Sequence, residues 1–127
     1  MTNFAWVTGV PQTGWTVGYE TLEFSKLSTQ YWSVPVAATK AGAAYNPTAD
    51  TVQFAFMPTP TQTPVTADWV SGVWETVATS IIYPYNAKCL VGPSGATALT
   101  SGSYNVYMKV TDNPEVPVFI TGTLGIM

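Results

Sequence analysis

Breakers and β-formers are spread evenly along this chain. Ten prolines and ten glycines interrupt it from end to end, with many Thr and Val between them. Proline removes a backbone donor and glycine costs conformational entropy, so an uninterrupted helical window of useful length is missing while many windows of strand length remain. The chain is therefore expected to be all-β. With 127 residues it has the size of one domain, large enough to bury one core without staples.

Alternation locates the strands. In "LSTQYWSVPVAAT" Tyr31, Ser33, Pro35 and Ala37 alternate with Trp32, Val34, Val36 and Ala38; Pro35, lacking an N–H, points to an edge position or a bulge. In "TVQFAFMP" Val52, Phe54 and Phe56 share one face, the clearest period-two pattern in the chain. Trp69 and Trp74 flank Gly72 in "WVSGVWETV", and one of them is expected to anchor the core. Further strands are predicted over residues 83–91, where Tyr85, Ala87, Cys89 and Val91 are in phase, and over "LTSGSYNVYMKVT", where Tyr104, Val106, Met108 and Val110 face one way. After a turn at Asp112 to Pro114, "VPVFITGTLGIM" is expected to close the sheet.

About seven short strands without a crossover helix indicate a two-sheet sandwich. Gly102-Ser103-Tyr104-Asn105-Val106 resembles the Gly-x-Tyr-x-Val start of strand F in immunoglobulin and fibronectin type III domains, where the tyrosine hydroxyl bonds back to the main chain. The expected fold class is an all-β, immunoglobulin-like two-sheet β-sandwich over residues 27–127, preceded by an extended N-terminal arm, residues 1–26. The arm carries Phe4, Trp6, Trp15, Tyr19 and Phe24 among Gly9, Pro11, Gly14 and Gly18. So many aromatics require cover, from the chain's own domain or from a neighbouring subunit, and these five are the candidate partner-binding residues.

Composition narrows the chemistry. Only 9% of the residues are charged, against roughly 25% in ordinary domains, and the net charge is −3. Charge opposes non-specific association, so a surface this poor in it suits a protein covered by partners. Lys26, Lys40, Lys88 and Lys109 are the only cations and Arg is missing, which excludes nucleic acid as an expected partner. Histidine is also missing, removing Ser-His-Asp and Cys-His nucleophile systems and the common zinc sites. Glu20, Glu23, Asp50, Asp68, Glu75, Asp112 and Glu115 are the carboxylates available to a glycosidase, and they read as turn and edge residues.

"TDNPE" holds too few oxygen ligands for a calcium loop, and "VGPSGATALTSG" lacks the Lys-Ser/Thr of a phosphate loop. Cys89 reads as a small buried apolar residue. Tyr83, Tyr85 and Tyr107 are candidates for stacking on sugar rings. No apolar run approaches transmembrane length, and "MTNFAWVTGV" lacks the basic start and apolar core of a secretory signal, so a soluble protein without membrane contact is expected. No enzyme activity, cofactor or metal is expected.

The ordered segments "DWVSGVWET", "YNAKCLVGPSG", "LTSGSYNVYMKVTDNPEVPV" and "GTLGI", following the two strands quoted first, resemble a family of small structural proteins of tailed phages and prophages of actinobacteria. The resemblance covers residues 27–127 and brings no catalytic residues. It implies a virion component, made in the host cytoplasm, with an immunoglobulin-like fold. The favoured placement is the capsid surface, as a decoration protein contacting the major capsid protein and neighbouring copies of itself. The alternative is a tail or baseplate component, including a module binding host-surface glycan.

Overall fold

The computed structural model describes residues 13–59, 63–76 and 83–127. Over these the regular elements are ten β-strands and two single-turn 3-10 helices, Pro47–Ala49 and Thr66–Asp68. The strands are β1 (Thr13–Val17), β2 (Glu20–Phe24), β3 (Gln30–Lys40), β4 (Ala43–Tyr45), β5 (Thr51–Pro58), β6 (Val70–Ser71), β7 (Val73–Thr76), β8 (Tyr85–Val91), β9 (Gly102–Thr111) and β10 (Val118–Ile126). One sheet runs β1-β3-β8-β7 with β4 also on β3, the other β2-β10-β9-β5-β6. These are the A-B-E-D and G-F-C-C′ orders of an immunoglobulin-like sandwich, with β2 added beyond the last strand. All pairs are antiparallel except β2 with β10.

The alternation read from the sequence fills the space between the sheets. Val52, Phe54 and Phe56 of β5 stand opposite Val110, Met108 and Val106 of β9, all buried. From the other sheet come Trp32, Val34 and Val36, with Ala87, Cys89 and Val91. The fully enclosed core tryptophan is Trp32; of the expected pair, Trp74 is half-buried and packs against the core from its side. Its Nε1 donates to Thr121 Oγ1 at 3.3 Å, and that hydroxyl donates on to Val106 O. Thr121 reaches the interior because the β9–β10 register shifts between Ile120 and Gly122, a bulge that turns one extra residue inward. Tyr104 Oη donates to Thr100 O at 2.7 Å, the corner bond that the Gly-x-Tyr-x-Val motif anticipates.

The structure differs from the expected arm. Residues 1–12, with Phe4 and Trp6, lie outside the described residues, but residues 13–24 are integral to both sheets: β1 pairs with β3 and β2 with β10. The physical reason lies in Pro35 and Gly18. Pro35 faces Asn86 of β8 on one side; on the other its oxygen accepts from Gly18 N at 2.9 Å, and it has no N–H to return. The β1–β3 ladder ends there, and the chain crosses to the opposite sheet. Pro35 thus occupies neither an edge strand nor a bulge but the end of one neighbour's ladder. A Cβ on Gly18 would come within 2.8 Å of Pro35 Cδ, so glycine permits the close crossing. Breakers that argued against strands in this region mark the switch between two of them.

Candidate functional site

Two regions stand apart from the plain sandwich core. The first is a polar cluster at one end. β3 ends at Lys40, β4 at Tyr45, and Asp50 and Asp112 follow the first 3-10 turn and β9 respectively. Asn46 Oδ1 accepts from Thr48 N and fixes the 3-10 turn, and Asp50 O accepts from Trp74 Nε1 at 2.8 Å. Tyr45 Oη donates to Asp50 Oδ2 at 2.9 Å and lies 3.5 Å from Asp112 Oδ1, while Lys40 Nζ pairs with Asp112 Oδ2 at 3.2 Å and sits over the Tyr45 ring.

Burial, reinforced by the neighbouring Asp50 and Asp112 carboxylates, pushes the Tyr45 hydroxyl up to about 12. Burial also raises the Asp50 carboxyl, with Asp112 adding to the effect and the Tyr45 hydrogen bond and Lys40 opposing it. The cluster links β3 and β4 of one sheet to the start of β5 and the end of β9 in the other. Its two carboxylates meet through the Tyr45 hydroxyl, and neither of the cavities beside Trp15 is lined by them. The other carboxylates are spread out: Asp68 accepts from Val65 N, Glu75 pairs with Lys88, and Glu20 and Glu23 lie exposed on β2. Among the described residues no group of three His, Cys, Asp or Glu side chains is placed to hold a metal ion. Burial alone raises the Cys89 thiol to about 11.

The second region is the seam between β1 and the start of β10. Trp15 packs edge-on to Tyr45 at 6.3 Å and against Phe119 at 6.2 Å. With Glu115, Val116 and Pro117 it lines an open cavity of about 350 Å³, and its enclosed Nε1 has no hydrogen-bond acceptor. Next to the cavity, Val116, Val118 and Ile120 are each about half exposed, at 47%, 51% and 54%. Val118 and Ile120, two apart on β10, and Val116 in the segment just before it form an apolar strip.

The five candidate partner-binding aromatics do not assemble into one surface. Phe24 is buried in the core, Trp15 lines the seam, Tyr19 is exposed at the crossing between sheets, and Phe4 and Trp6 lie outside the described residues. Of the candidate sugar-stacking tyrosines, Tyr85 packs against the core and Tyr83 and Tyr107 are half-buried. The strip on β10 was missed because "VPVFITG" is apolar at nearly every position; which of its faces stays uncovered depends on β2, a strand the breakers concealed. No family model matches the chain, and no curated protein matches it in sequence.

Proposed function

We propose that the chain is a non-enzymatic structural protein of a phage virion: a decoration subunit on the capsid surface, held by the major capsid protein and by neighbouring copies of itself. The observation that carries this reading is the exposed apolar strip Val116, Val118 and Ile120 on an otherwise charge-poor immunoglobulin-like sandwich. Such a strip on a soluble domain calls for a protein partner, and the low charge removes much of the repulsion that would oppose dense arrays. The resemblance of residues 27–127 to phage structural proteins supports the same reading.

Counting copies tests it. A decoration subunit repeats with the icosahedral lattice, on the order of hundreds per particle, because symmetry repeats each interface. Quantified protein from purified virions should give that number, and labelled protein should add to shells lacking it. A dozen or so copies, or binding to isolated tails and not to shells, replaces the capsid reading with the tail or baseplate one.

A further inference from the structure

The geometry points to an acceptor site for an added strand on β10, and we propose that its occupant is the N-terminal segment, residues 2–8, of a second copy of this chain. The proposal rests on the reading of the chain as one of many copies in an assembly, and it names the surface through which copies join. On its inner side β10 pairs with β9 from Val118 onward, whereas on its outer side β2 covers only Gly122 to Ile126. Among the described residues, 118–121 therefore have no ladder neighbour on that side. Pro117 O accepts from Val110 N, so by the alternation of an antiparallel ladder the N–H and C=O groups of Val118 and Ile120 point outward to the open edge.

The vacancy has the shape of a strand. β2 begins at Glu20, opposite Gly122, and stands one strand further out, so the open stretch before it is a notch one strand wide. Its length is about 13 Å for four residues at strand rise. A single extended segment of that length matches the notch. Apolar side chains flank the notch at Val116, Val118 and Ile120, and Trp15, one hydrogen bond short at Nε1, lines the adjoining cavity. A strand laid there brings carbonyl oxygens and apolar side chains together, the two things this edge lacks.

Residues 1–12 match that need. They contain no charged side chain, and within "TNFAWVT" Phe4 and Trp6 fall on one face of an extended strand. Seven residues reach roughly 25 Å at full extension, ample for the notch. The segment is rooted at Thr13, at the start of β1 beside the seam. Val10 precedes Pro11, and the residue before a proline favours extended backbone, the conformation an added strand needs.

Sedimentation equilibrium of the full chain, with a synthetic peptide of residues 1–12 as competitor, tests the proposal. The chain should self-associate, and excess peptide should return it to monomer. Ile120→Pro, which deletes one outward N–H, should weaken association by about tenfold, the most that one backbone hydrogen bond is worth. Ile120→Thr, which keeps the backbone donor, should weaken it less, with far-UV spectra of both variants unchanged. A chain that stays monomeric and ignores the peptide, a monomeric chain that binds the peptide, or equal losses for the two variants each overturn strand exchange between copies. Should Ile120→Pro unfold the chain, the peptide competition decides alone. Monomeric behaviour with hundreds of copies on shells would leave the capsid reading intact, and association through this edge without shell binding would do the reverse.

Discussion

Phe54 is the residue on which the core depends most visibly. It is fully buried, stacked on Phe56 at 6.5 Å, and its ring is the atom group a Cβ on Gly72 would strike. Phe54→Ala should cost about 3–5 kcal/mol in denaturant unfolding, because the well-packed surroundings can close only part of the cavity. A loss below about 1 kcal/mol would contradict its burial. Tyr45 offers a different test. In the fold its hydroxyl keeps its proton to about pH 12, against 10.0 for an ordinary tyrosine. Below about pH 10 both states hold the proton and Tyr45 gives no slope; between about 10 and 12 only the unfolded chain ionises, so stability falls as pH rises. Tyr45→Phe should remove that part of the alkaline slope in unfolding curves measured from pH 8 to 11.5. An unchanged slope would mean that burial and the neighbouring Asp50 and Asp112 carboxylates do not hold the proton on the hydroxyl.

Among the elements, the pairing of β2 with β10 is the one most exposed to a single change. Gly122 has φ +151°, and a Cβ there would overlap the Glu20 carbonyl oxygen and press on the Trp32 ring. Gly122→Ala therefore adds backbone strain of about 1–3 kcal/mol to a steric conflict with the neighbouring strand. The expected outcome is a lowered Tm together with faster amide exchange across residues 20–24, while the β5–β9 amides stay protected. Uniform loss of protection would place the damage in the whole sandwich instead. Strands whose two faces differ were legible from sequence: β5 has the limits its period predicts, and Tyr104 made its corner bond identifiable from five residues. β1 and β2 were not legible, because Gly14, Gly18 and a short span of five residues each hide a strand that is stabilised by partners distant in sequence. For the same reason the Lys40, Tyr45, Asp50 and Asp112 cluster stayed invisible: its bonds span up to 72 residues and no local spacing encodes them.

At the scale of the whole molecule, the few charges are already engaged or set apart. Lys40 pairs with Asp112, Lys88 pairs with Glu75 and covers the Tyr31 ring, and Lys109 lies over Trp69. The strip presents Val116 just before β10 and Val118 and Ile120 on it, with Glu115 at its foot and Lys109 opposite Val118 on β9. Contacts made there draw on apolar burial and ladder hydrogen bonds, which depend little on ionic strength. Raising NaCl from about 0.1 to 1 M shortens the screening length from roughly 10 to 3 Å and would erase most attraction between exposed charges. Binding of the full chain to shells, or to itself, should therefore change by no more than about threefold across that range, less than 1 kcal/mol. Ammonium sulfate at equal ionic strength should strengthen it, since sulfate favours burial of apolar surface. Isothermal titration at several NaCl concentrations, and in ammonium sulfate of matched ionic strength, measures both effects. A tenfold or greater loss of affinity in NaCl would show that ion pairs carry the contact, and would move the interface away from β10 to the exposed carboxylates Glu20 and Glu23 on the edge of β2.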